Sequence, residues 1–198
     1  MYWRKHTFGS NEELVEELVA ERVIRSDKVE EVERSLTTRL RSIGHNATIS
    51  APVMHAHALE ELKDHLKPGS KVLDVGSGSG YLCGVFAHLV GPSGKVIGVE
   101  HIPELVAFSE DNLRRDGLGR ALEKGEIEVR VADGRLGYPN GAPYDAIHVG
   151  ASSGTVPQEL VDQLARPGAM FIPVGTYDQA IILVCTSTLD FDPVTCLI

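Results

Sequence analysis

Leu14, Val15, Leu18 and Val19 recur at helical spacing behind Ser10 and Glu13, which match a capping box. Val29, Val32 and Leu36 continue a similar stripe after Ser26-Asp27. Two short helices are therefore predicted over residues 10–36, packed on the rest of the chain through these stripes. Residues 37–50 show no period and read as a loop. Pro52 stands in the first turn of another helix, where its missing N–H costs nothing. That helix runs to about Leu66 and is ended by Lys67-Pro68-Gly69.

From Lys71 onward, short apolar runs alternate with helix-spaced segments. Residues 71–75, 95–100, 127–132, 145–150, 169–175 and 179–184 read as strands. Helices are predicted from the glycine-rich turn after residue 75 to about Val90, from Pro103 to near Gly117, and over residues 157–165. Strands alternating with helices imply right-handed crossovers and a mostly parallel sheet. The predicted fold class is α/β: a doubly wound, mostly parallel, Rossmann-like sheet with helices on both faces and a small N-terminal helical extension. The expected division is an extension and loop over residues 1–50, a main domain over 51–184, and a tail of different character over 185–198.

Charge narrows the partners. The 198 residues include 28 acidic and 19 basic side chains, a net charge of −9. Phosphate binding needs a basic face, so nucleic acid is not expected as the main partner. Cys83, Cys185 and Cys196 are odd in number and far apart, which suggests neither a zinc site nor a disulfide framework. The N-terminus turns acidic before any apolar run develops, so a signal peptide is not expected. No apolar run approaches the ~20 residues of a membrane helix. A monomer in the reducing cytoplasm is expected, without a membrane partner.

Candidate chemistry gathers at the carboxyl ends of the strands, where ligands bind in open parallel sheets. The first strand leads into Asp74-Val75-Gly76-Ser77-Gly78-Ser79-Gly80. A dinucleotide site wants G-x-G-x-x-G, and here Tyr81 stands in place of the third glycine; no P-loop pattern occurs. Glu100 ends the second strand, where a carboxylate can accept both hydrogen bonds of a ribose diol. Asp133 ends the third, where a carboxylate can accept from an adenine amino group. Asp74 could attract a cationic ligand. S-adenosylmethionine carries a sulfonium and an ammonium and no phosphate, so a pocket lined by these three acids suits it and repels a pyrophosphate. His55 and His57, two apart on a helix, point away from each other and do not suggest shared metal ligation. His55 reads as a pocket residue, His57 as a surface or packing residue and His148 as a satisfied interior histidine. Cys83 reads as a small core residue.

Six segments carry a resemblance: IGHNATISAPVMHAHALEEL (43–62), KVLDVGSGSGYL (71–82), GKVIGVEHIPELV (94–106), VADGRLGY (131–138), APYDAIHVGA (142–151) and PQELVDQLARPGAMFIPVG (157–175). Together they resemble the protein-L-isoaspartate O-methyltransferase family, within the S-adenosylmethionine-dependent methyltransferase superfamily. The glycine motif is shared across that superfamily, whereas the ATISAP…MH stretch is specific to the family. The resemblance implies methylation of the free α-carboxylate of L-isoaspartyl and D-aspartyl residues in damaged proteins and peptides. It also implies that Ala47, Thr48, Ile49 and Ser50 border cofactor and substrate, with Ser50 the active-site residue and His55 beside it. Asp74, Gly76, Ser77 and Gly78 would hold the methionine moiety, Glu100 and His101 would flank the ribose, and Asp133 and Gly134 the adenine. Ser50 could instead, or also, cap the helix that opens at Pro52.

The chain departs from the family in two places. The segment ERSLTTRLRS (33–42) is shorter than its family counterpart and has no aromatic residue. The family pattern stops near Val184, and CTSTLDFDPVTCLI lacks the family's closing strands and the Thr and Gln that help hold cofactor, so an exposed strand edge is expected. Two alternatives follow: a family member that binds S-adenosylmethionine but turns over poorly, and a methyltransferase for another acceptor.

Overall fold

The structure, a computed structural model, describes residues 10–35, 43–45, 47–176, 179–188 and 193–198. Val32 and Leu36 of the second apolar stripe, and most of the 33–42 segment, lie outside what it describes of side chains or backbone. The elements run α1 (Asn11–Ala20), α2 (Asp27–Ser35), α3 (Pro52–Leu62), β1 (Lys71–Val75), α4 (Tyr81–Val90), β2 (Lys95–Glu100), α5 (Pro103–Leu113), α6 (Gly119–Glu123), β3 (Ile127–Val131), β4 (Tyr144–Val149), α7 (Gln158–Val161), β5 (Leu164–Val174), β6 (Ala180–Thr186) and β7 (Val194–Leu197). The sheet order is β3-β2-β1-β4-β5-β6-β7. The pairs from β3 through β5 are parallel, and β6 pairs antiparallel with both β5 and β7. The chain builds outward from β1 to β3 and then returns to the other side of β1 with β4. The strand order therefore reverses between β1 and β4, which opens a crevice at their carboxyl ends.

Alternation along the central strands sends side chains to two cores. Val72, Val96, Ala146 and Phe171 join α1 to α5 on one face. Leu73, Ile97, Ile147 and Met170 meet α7 and the loops after β3 on the other. The second layer is thin, since α7 is a single turn of four residues. Each fully buried Leu, Ile, Val or Phe contributes about 1.5–3 kcal/mol.

The helical extension is held by buried polar contacts as well as by its apolar stripes. Ser10 caps α1 by accepting from Glu13 N–H at 3.2 Å. The Lys28 ammonium donates to the carbonyls of Leu66 and Leu89 at 3.3 and 3.1 Å, which satisfies chain ends that the helices leave open. Glu60 of α3 is buried and accepts from the backbone N–H groups of Arg25 and Ser26, from the Ser26 hydroxyl and from Lys63, each at 2.8 Å. One carboxylate thus pins the α1–α2 connection to α3, the helix that carries His55.

Three boundaries differ from the periodicity. The helix from Pro103 ends at Leu113; Arg114–Leu118 follows as a wider π turn whose Gly117 has φ 84°. Residues 157–165 are not one helix: α7 stops at Val161, and β5 begins at Leu164 because Leu164 pairs with Tyr144. The expectation of an exposed edge at β6 is also corrected. Val194–Leu197 of the tail pairs with β6 from Ile182 to Cys185, and β6 itself runs to Thr186. The tail supplies the backbone donors and acceptors that β6 needs, and β7 becomes the outer strand. Its side chains face solvent, as Val194 (55%) and Leu197 (72%) illustrate.

Glu60→Ala should destabilise the protein by about 2–4 kcal/mol in chemical denaturation, because it strands two backbone N–H groups. Burial pushes the Glu60 carboxyl up, but Lys63, Arg25 and Ser26 together hold it below its ordinary 4.5. Its contribution should be complete above that pH and lost as the pH falls further, so the wild-type advantage over Glu60→Ala should shrink in acid.

Candidate functional site

The reversal crevice is built first by backbone. Residues 76–80 leave β1 in a turn whose last glycine, Gly80, has φ 79° and caps α4. A side chain at that φ would be strained. The turn is held by Gly76 and Ser77 N–H groups, both donating to the Val99 carbonyl of β2. A second glycine makes the approach possible: a Cβ on Gly98 of β2 would lie 2.7 Å from Cys83 Sγ and 3.0 Å from Ser77 Cβ. Gly134 lets the loop after β3 press on Val75, where a Cβ would meet a methyl at 2.6 Å.

Segment 43–50 closes over this turn. Buried Ile43 lies against Gly78, where a Cβ would sit 3.3 Å from its Cδ1. Thr48, Ile49 and Ser50 line the resulting cleft together with His55, Asp74, Gly76, Ser77 and Gly78. Tyr81, Ser79, Leu82, His148 and Gly150 complete it, and the cleft opens to solvent. Nothing in the local sequence pattern marks Tyr81 or His148 as a residue of this cleft. Ile43 left a faint signal, a lone apolar position in a polar loop. Ser50 does not cap α3, which corrects that reading: the N-cap is Ala51, with no side-chain cap, because Pro52 fills the first helical position. Ala47 lies just before these residues, its N–H donating to the Gly44 carbonyl at 2.9 Å.

The acids divide. Glu100 is buried, and its Oε2 accepts from Gly78 N–H at 3.2 Å. Its Oε1 takes the N–H groups of His101 and Ile102 at 2.8 and 3.1 Å, with the exposed His101 ring at 2.9 Å. Oε2 has one donor and keeps a lone pair for a ligand hydroxyl. Of the three acids only Asp74 lines the cleft; Glu100 lies behind the glycine turn, and Asp133, just past β3, has its carboxylate held by Arg135, through Nε at 2.9 and 3.1 Å and Nη2 at 2.6 Å. Arg135 holds the Asp133 carboxyl down at about 2. Asp74 is buried on β1, with His148 Nδ1 at 2.8 Å and Cys83 Sγ at 3.3 Å.

His55 stacks on Tyr81 with ring centroids 5.1 Å apart. Burial, with His148 adding to it and Asp74 opposing, lowers its pKa from 6.5 to about 4, so the imidazole is neutral at pH 7. His57 turns the other way, edge-on to Phe171 at 5.7 Å. Among the described residues, no group of three or more His, Cys, Asp and Glu is placed to hold a metal ion. None of the described residues lining the cleft is Lys or Arg. A pocket with a buried carboxylate and no Lys or Arg among its described lining fits the cationic end of S-adenosylmethionine better than a phosphate. Among the described residues, no helix is long and apolar enough to cross a membrane.

Known proteins share this architecture. The family model described as protein-L-isoaspartate(D-aspartate) O-methyltransferase matches residues 9–189. A protein-L-isoaspartate O-methyltransferase of Triticum aestivum is 48% identical over 191 residues, covering 90% of this chain and 83% of that protein. One from Caenorhabditis elegans is 44% identical over 189 residues, covering 90% and 83%. A crystal structure of a Plasmodium falciparum protein-L-isoaspartate O-methyltransferase, in complex with S-adenosyl-L-homocysteine, superposes with a TM-score of 0.87 at 30% identity, covering 96% of this chain and 95% of that one. With the match running through nearly every described element, the chain belongs to the protein-L-isoaspartate(D-aspartate) O-methyltransferase family.

Proposed function

We propose that this chain transfers a methyl group from S-adenosylmethionine to the free α-carboxylate of L-isoaspartyl and D-aspartyl residues in damaged proteins and peptides, the first step of their repair. The observation that carries this reading is the cleft where Thr48, Ile49 and Ser50 meet Asp74 and the glycine turn, with no Lys or Arg among its described lining. The bound donor would supply an electrophilic methyl on a sulfonium. Asp74 with residues 76–78 would hold its methionine end, and Glu100 Oε2 its ribose. Asp133 and Gly134 would flank the adenine, with Arg135 keeping the Asp133 carboxylate ionised and fixed.

No general base is required. An α-carboxyl titrates near ~3.5, so the acceptor is already ionised at pH 7. The residues need only align it and exclude water. Ser50, which is free of capping duty, would donate its hydroxyl to the acceptor carboxylate and orient it. His55 would line the same cleft as a neutral ring. A protonated imidazole there would place a second cation beside the sulfonium, and burial prevents this at neutral pH.

The direct test is labelled methyl transfer to paired peptides that differ only in isoaspartate against aspartate. Base-labile label on the isoaspartyl peptide alone is expected. Binding of the donor with label on neither peptide would overturn the proposal. Ser50→Ala should lower kcat by about ten-fold or more while changing cofactor Kd by less than about three-fold, in line with loss of one orienting hydrogen bond. Equal losses in both would assign Ser50 a structural role. Cofactor affinity should stay flat as the pH falls from 7.5 to about 5.5 and drop only as His55 takes a proton, near its pKa of about 4. A drop centred near the ordinary histidine value of 6.5 would contradict the neutral role given to His55.

A further inference from the structure

One buried side chain in the cleft, His148, has no part in the roles above. His148 lies on β4 in register with Asp74 on β1. Their side chains are 7% and 2% exposed, and both line the cleft. A carboxylate can only accept, so the Nδ1 at 2.8 Å from Asp74 Oδ1 carries the hydrogen and donates it. The bond is charge-assisted, the stronger class. Cys83 donates to the other oxygen at 3.3 Å. Burial, and then the Asp74 charge, push the Cys83 thiol well up, so it remains a donor and never a competing anion.

The ring cannot swing away. It stacks on Phe171 of β5 with centroids 6.0 Å apart and planes at 18°, and Phe86 of α4 stands 6.1 Å away. Two donors therefore hold one buried carboxylate, and none of the described groups lining the cleft is a Lys or Arg. A pair that served stability alone would gain from a cationic partner, since an unneutralised buried charge is costly. Asp74 lines the cleft, where a cationic group of a ligand can meet its carboxylate.

We propose that His148 is a positioning residue for the amino-acid end of the methyl donor: its Nδ1–H, with the Cys83 thiol, fixes the Asp74 carboxylate for the donor's ammonium group. This rests on the cofactor reading given above, and the test separates the two. S-adenosylhomocysteine carries the ammonium, whereas methylthioadenosine has the same nucleoside and a thioether but no amino-acid end. His148→Phe keeps a ring between Phe171 and Phe86 and removes the donor. It should weaken S-adenosylhomocysteine by about ten-fold or more in calorimetry and methylthioadenosine by less than about two-fold. His148→Asn returns a donor where Nδ1 stood and should recover S-adenosylhomocysteine binding to within about three-fold of wild type. In turnover, His148→Phe should raise KM for the donor while kcat at saturation changes by less than about three-fold. Equal losses for both ligands, or undiminished S-adenosylhomocysteine binding, would overturn the proposal. If His148→Phe does not fold, the contrast moves to Asp74→Asn, which should lose S-adenosylhomocysteine selectively while His148→Asn keeps it; the reverse pattern overturns the proposal. A wild-type chain that bound neither ligand would overturn the cofactor reading itself.

Discussion

The parallel pairing of β1 with β4 is the constraint from which the functional region follows. It reverses the strand order, opens the crevice at the carboxyl ends of both strands, and sets Asp74 beside His148 in the same register. A carboxylate buried there would be costly alone, and the fold meets it with two donors from β4 and α4. Electrostatics and topology thus coincide: the point where the backbone opens a gap is also the point where a buried carboxylate lines the cleft. A cationic methyl donor is the kind of ligand such a site is built to take.

Close backbone approach is the second requirement. Ser77, Cys83 and β2 meet only because Gly98 has no side chain, and the loop that carries Asp133 reaches β1 only because Gly134 has none. Glu100 then ties the parts together. It accepts from Gly78 on one oxygen and from the start of α5 on the other, so the glycine turn and the next helix are fixed by one side chain. Its Oε2 has a single donor and keeps capacity to accept another hydrogen bond.

At the far edge of the sheet the demands are looser. The pairing of β6 with β7 needs backbone groups only, so a strand whose side chains face solvent suffices to cover β6. The helical extension is more exacting. Glu60 and Lys28 fasten it through buried carbonyl and N–H groups, and through α3 it supports the helix on which His55 meets Tyr81.

Local pattern was enough to read the alternation of strands and helices, the glycine turn after Asp74, and the strand-end positions of Glu100 and Asp133. Those features depend on side-chain period and on residues adjacent in the chain. Ser50 read equally as a helix cap, and only the packed structure shows the cap position taken by Ala51. The start of β5 at Leu164 escaped notice because pairing with Tyr144, twenty residues earlier, overrides the helical spacing there. Asp133 carries a second commitment to Arg135, two residues on, that a strand-end position alone does not reveal. His148 read as an ordinary interior residue because its partner lies 74 positions away on a strand that becomes its neighbour only through the crossover. Chain-local physics chose the elements, and the order in which parallel strands lie side by side chose which buried groups meet.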